Sequence, residues 1–146
     1  MLEVTTKLVI AKPRERVAEF AAEPDNAPKW RSRVKSVTWK TERPVTVGSR
    51  IAFEAQNSGK KGGTVFEVTM FEPGHAMKMR SIGAPYPLEL IYVWEEGETA
   101  GTTNCKVISR AKPEGLNKVI SPFLKGQYKS DNLADLKKLK EIVERG

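Results

Sequence analysis

A chain of 146 residues, 39% of them hydrophobic, can bury roughly 68–70% of the surface its unfolded form exposes, so it can build a core without disulfide or metal staples. The single cysteine, Cys105, excludes an intrachain disulfide and a cysteine-built metal site, and with His75 as the single histidine, ordinary zinc sites and histidine-dependent triads lack their ligands. The 25 lysines and arginines exceed the 18 acids by a net +7, but the excess is scattered, and only Lys60-Lys61 and Lys137, Lys138 and Lys140 cluster, so no specific nucleic-acid surface is expected.

Glu3, Thr5, Lys7 and Val9 alternate with Val4, Thr6, Leu8 and Ile10, as a half-buried strand requires. Its start has no apolar core of a signal peptide, and the longest apolar runs, Leu8–Ala11 and Leu90–Trp94, fall far short of the ~20 residues of a membrane helix. A reducing, cytoplasmic setting is the expectation. Pro13 opens a helix with Val17, Phe20 and Ala21 on one face, and Pro24 and Pro28 restart the chain into a second short helix ending at Trp30. The period then returns to two. Strands are expected around Val37 and Trp39, Ile51 and Phe53, Thr64 to Met70, Met77 to Ser81, Leu88 to Trp94 and Thr103 to Ser109, separated by turns rich in glycine and proline. A closing helix from about Pro113 to Val143 carries Leu116, Val119, Ile120, Phe123, Leu124 and Tyr128 as an apolar stripe, which Leu133, Leu136, Leu139 and Val143 are expected to continue with some drift. Pro122 must kink or restart it.

Consecutive strands with short turns favour an antiparallel meander whose second face must be covered, and only the closing helix is long enough to cover it. A curved sheet cannot touch one helix everywhere, and the gap suits a ligand. The order strand, two short helices, six strands, long helix is similar to the helix-grip fold of the SRPBCC superfamily, which includes START domains, birch-pollen-allergen-like proteins and polyketide cyclase/dehydrase-like proteins. The resemblance rests on Ile10-Ala-Lys-Pro13 with Val17 and Phe20, on Glu23-Pro-Asp-Asn-Ala-Pro-Lys-Trp30, on Val34 to Val37 with Val47-Gly48, and on Asn132 to Leu139. It implies one α+β domain over residues 1–146, a seven-stranded curved antiparallel sheet gripping a long C-terminal helix, and a hydrophobic pocket. It does not imply chemistry, because the superfamily spans binding, transport and catalysis.

None of the residues read as facing inward along the strands is Asp, Glu, His, Lys or Arg, so no general acid or base stands in the expected cavity. Catalytic residues, metal ligands and cofactors are therefore expected to be none. The expected lining is Phe53, Asn57, Met70, Met77, Met79, Leu90, Tyr92 and Trp94 from the sheet, with Phe123, Gln127 and Tyr128 from the helix. Methionine supplies an adaptable wall and the aromatic rings a flat one, which suits a ring-bearing or acyl ligand. Core packing is the plain alternative for each. The reading is binding or carriage of a hydrophobic small molecule. A metal-free cyclase or dehydratase using Tyr92, Tyr128 or Asn57, and a basic module for RNA or an anionic membrane, are the alternatives. Ser58 to Gly63 reads as a hairpin loop, and Gly59-Lys-Lys-Gly-Gly63 lacks the spacing of a phosphate-binding loop.

Overall fold

The computed structural model describes residues 2–55, 63–83, 86–112 and 121–146. Seven antiparallel strands form one sheet in the order β1-β7-β6-β5-β4-β3-β2. They are β1 (Leu2–Ile10), β2 (Ser36–Trp39), β3 (Arg50–Glu54), β4 (Thr64–Glu72), β5 (Ala76–Ile82), β6 (Leu88–Glu96) and β7 (Thr103–Ala111). Helix α1 (Arg14–Ala22) follows β1, a 3-10 turn (Pro24–Asn26) leads into α2 (Ala27–Trp30), and α3 (Ser121–Arg145) closes the chain. This is the helix-grip-like α+β architecture that the sequence pattern implies. The Pro13 carbonyl accepts from the backbone N–H groups of Arg16 and Val17, so Pro13 caps α1 from outside and the helix starts one residue later than expected. The expected helix opening at Pro113 lies outside the described residues.

The edge strand β2 is fastened through Asp25. Trp39 Nε1 donates to its carboxylate at 2.8 Å, and Arg43 Nε donates at 3.0 Å while its guanidinium lies 5.0 Å from the centre of the Trp39 ring. The hydrogen bonds from Arg43 and then Trp39 hold the Asp25 carboxyl down at about 2.

Alternation sorts the strands largely as expected, although Ala52 on β3 and Ile91 on β6 are buried beside their inward neighbours and β4 breaks the pattern. On β7, Thr103, Cys105, Val107, Ser109 and Ala111 are all buried while their neighbours are half-buried. On β4 a bulge falls between Val68 and Met70. Phe66 and Val68 face inward as the pattern requires, but beyond the bulge Phe71 pairs with Met77 and packs on the core, while Met70 pairs with Lys78 on the outer face. One inserted residue reverses every later side chain, and simple alternation cannot register it.

Helix α3 grips the sheet through its C-terminal half. Leu136 and Leu139 are fully buried and Val143 nearly so, against β1 and the helix pair. The expected continuous stripe is in fact two faces. Phe123 stands thirteen residues before Leu136, about 140° around a helix of 3.6 residues per turn, so it cannot share the buried face, and it is 80% exposed. Polar bonds complete the anchor: Glu144 accepts from the Ala11 N–H at 2.8 Å, Asp135 from the Ser32 N–H at 2.9 Å, and Asp131 pairs with Arg33 at 2.7 Å.

The outer face carries a row of alternating charge across six strands. Glu3 opposes Arg110, Arg110 opposes Glu89, Glu89 opposes Arg80, Arg80 opposes Glu67, and Glu67 opposes Arg50. Arg110 bonds Glu3 at 2.6 Å and Arg50 bonds Glu67 at 3.1 Å. A slip of one residue in any of these strands would break the row and turn apolar side chains to water, so the row reinforces the register. Reversing Arg80 to Glu sets it between two acids. Two like-charge neighbours at up to about 1 kcal/mol each should lower the urea midpoint clearly more than Arg80→Gln does. Equal midpoints for the two variants would show that the row is ornamental.

Candidate functional site

The concave face divides into a closed end and an open one. At the closed end, Met77 pairs with Tyr92 and Met79 with Leu90 across β5 and β6, and all four are buried. Trp30 meets Tyr92 edge-on at 5.8 Å, Tyr92 stacks on Trp94 at 6.2 Å, and Phe53 meets Phe66 edge-on at 5.7 Å. The void bordered by Trp30, Phe53, Met77, Met79 and Tyr92 measures only about 10 Å³. That is the room of one water molecule, not of a ring. The large side chains brought here by alternation and by the plug of Trp30 fill the space they enclose. Arg31 lies over the Phe53 ring at 5.1 Å and, with Glu23, borders the same void.

At the other end, toward Thr64, Ser81, Leu88 and Ser109, the sheet and α3 meet through polar groups. Asn132 Nδ2 donates to Ser109 Oγ at 2.9 Å, and the hydroxyls of Tyr128 and Tyr86 lie 3.3 Å apart. Ser81 Oγ accepts from the Leu88 N–H at 2.8 Å. Thr64 and Leu88 face the helix side, by their register with buried neighbours, yet are only half-buried. Of the expected lining, Tyr128 stands at this end, Leu90 lies between the two ends, paired with Met79 on one side and Ser109 on the other, Phe123 and Gln127 are exposed on α3, Met70 is on the outer face, and Asn57 lies outside the described residues.

The reading along the strands does not single out Asn132 or Tyr86. Asn132 is legible in principle, since it precedes Leu136 by four and Leu139 by seven and so belongs to the stripe that is buried. Tyr86 follows a turn with no periodicity to place it.

Burial raises the carboxyls of Glu23, which borders the small void, and of Asp135, while the phenols and the thiol stay neutral at physiological pH. Burial raises the Tyr92 phenol, burial and the Tyr86 hydroxyl raise that of Tyr128, and burial pushes the Cys105 thiol up to about 12. His75 is exposed on the β4–β5 turn beside Arg14. Among the described residues, no three His, Cys, Asp or Glu side chains come together as a metal site would need, and no helix is long and apolar enough to cross a membrane. What the arrangement offers is apolar surface with neutral hydroxyl and amide groups at one end.

The family model described as "Polyketide cyclase / dehydrase and lipid transport" matches residues 1–144. Among solved structures, the di-domain aromatase/cyclase BexL of the BE-7585A biosynthetic pathway is 18% identical, with a TM-score of 0.78, over 99% of this chain and 47% of that one. A protein of Thermus thermophilus is 17% identical, with a TM-score of 0.78, over 98% of this chain and 97% of that one. The Zhui aromatase/cyclase of Streptomyces sp. R1128 is 13% identical, with a TM-score of 0.76, over 98% and 93%. At these identities the likeness is one of fold. No functionally curated protein matches the chain by sequence.

The contact between Asn132 and Ser109 can be tested by a double-mutant cycle. Asn132→Leu should cost about 1–3 kcal/mol, because it leaves the buried Ser109 hydroxyl without its partner, and adding Ser109→Ala should return part of that loss. Strictly additive losses in urea unfolding would show that the two side chains are not coupled.

Proposed function

The chain belongs to the polyketide cyclase / dehydrase and lipid transport family, the branch of the SRPBCC superfamily its sequence resembles, and on that premise we propose that it binds and carries a hydrophobic small molecule between the N-terminal half of α3 and strands β5 to β7. The supporting observation is the unequal closure of the concave face. One end is sealed by aromatic and methionine side chains around a void of about 10 Å³, and the other is bridged by the hydroxyl and amide pairs of Tyr86 with Tyr128 and Ser109 with Asn132. Each such bridge contributes only about 0.5–1.5 kcal/mol, so a ligand can displace it cheaply. In this reading Leu90 and Tyr128 touch the ligand directly. Phe53, Met77, Met79, Tyr92 and Trp94 form the floor, and the methionines yield where a larger ligand presses on them.

A second reading, cyclisation or dehydration of a polyketide, draws support from the two structural neighbours that are aromatase/cyclases. The neutral hydroxyl groups would then orient a substrate. The absence of a charged base among the strand-borne inward residues favours carriage.

The test is native mass spectrometry of the purified protein, joined to the melting temperature. A carrier should retain an apolar small molecule, and saturating ligand at 100 times its Kd should stabilise the fold by about 2.7 kcal/mol. Tyr128→Phe keeps the ring and removes one hydroxyl. It should weaken binding by about 0.5–1.5 kcal/mol in a carrier, whereas an enzyme that relies on the hydroxyl should lose most of its turnover of a polyketide. A protein that neither retains nor takes up any apolar molecule would refute the reading.

A further inference from the structure

Between Ser121 and Asn132, helix α3 carries two lysines in an unexpected direction. Lys129 stands seven residues before Leu136 and Lys125 eleven, close to two and three full turns at 3.6 residues per turn. Both therefore point within about 20° of the direction in which Leu136 is fully buried. The set Lys125, Lys129, Asn132, Leu136, Leu139 and Val143 is one stripe with spacings of four and three, apolar and sealed in its C-terminal half and basic in its N-terminal half. Both lysines are exposed, whereas the same face of the helix is buried further along.

Neither lysine is in an ion pair among the described residues, and the one acid on this stretch of α3, Asp131, is bound to Arg33 at 2.7 Å on another side of the helix. The two lysines, one turn apart and flanking Tyr128, whose hydroxyl meets that of Tyr86, put two cations at the lightly bridged end of the concave face.

Resting on the carrier reading above, we propose that the ligand is an anionic amphiphile: an apolar body that lies against the sheet, and a carboxylate or phosphate that Lys125 and Lys129 receive at the rim. Lysine suits this role because its ammonium is a point charge on a flexible stem that can follow the head group without fixed geometry. The uncharged strand-borne lining and the charged helix-borne rim then read opposite ends of one molecule.

Three probes of equal chain length separate the possibilities: dodecanoate, dodecyl phosphate and dodecanol, each measured by displacement of an uncharged environment-sensitive dye at low salt. The expected result is that at least one of the anions binds roughly tenfold more tightly than dodecanol, or about 1.4 kcal/mol at 25 °C, and that added salt at about 0.5 M reduces the advantage. The ratio of dodecanoate to dodecyl phosphate tells a carboxylate source from a phosphate one. Replacing Lys125 and Lys129 together by Gln should erase the anion advantage and leave dodecanol unchanged, and replacing both by Glu should reverse it. Both positions are exposed, so the variants should fold, and an unchanged melting temperature checks this. Equal affinity for all three probes, or an anion advantage that survives in the Gln variant, overturns this inference while leaving the carrier reading intact. Failure of all three, dodecanol included, overturns both.

Discussion

Everything distinctive about this molecule follows from where α3 is held. Leu136, Leu139 and Val143 lose nearly all their exposure against β1 and the helix pair, and at about 1.5–3 kcal/mol for each buried side chain they outweigh every other described contact of the helix. On the N-terminal side of Leu136, among the described residues, the helix is held by polar contacts, from Asp135 to Ser32, Asp131 to Arg33, Asn132 to Ser109 and Tyr128 to Tyr86, which contribute less than the buried side chains. The helix is therefore bound strongly at one end and lightly at the other. A curved sheet makes this outcome natural, since a straight helix cannot follow it along its whole length.

The sheet has the opposite character. Its register is set twice over, by buried side chains on the concave face and by the row of alternating charge from Glu3 to Arg50 on the convex one. A sheet fixed in this way can keep its shape while the light end of the helix adjusts. The division of labour places chemistry accordingly. The strands supply an inward surface of fixed form, and in the reading proposed above the helix supplies the amide, the hydroxyl and the two lysines that meet the ligand. Burial holds Tyr92 and Cys105 in their neutral forms, and it also raises the carboxyls of Glu23 and Asp135 above their ordinary range.

The architecture is legible in the sequence because the period of the pattern changes where the elements change, and because Pro13, Pro24 and Gly74 stand where the chain turns. The family resemblance is legible in loose motifs taken in order. Two departures from the expected lining have plain physical causes. Met70 stands on the opposite face from the one alternation assigns it, because a bulge adds a residue without any signature in the pattern. Phe123 points outward because the apolar residues of α3 form two stripes rather than one, and thirteen residues is far from a whole number of turns. Joining the two stripes also conceals Lys125 and Lys129, which occupy the one that is buried further along. Closure of the methionine and aromatic wall to about 10 Å³ is beyond the reach of sequence, since side-chain volumes do not reveal how tightly strands curve.

Unequal anchoring of α3 is the central claim, and hydrogen exchange of the helix backbone amides measures it directly. Amides around Leu136 to Val143 should exchange only with global unfolding, while those from Leu124 to Ser130 should open at a distinctly lower free energy and gain protection when an apolar ligand is bound. Uniform protection along the whole of α3, unchanged by any ligand, would contradict it.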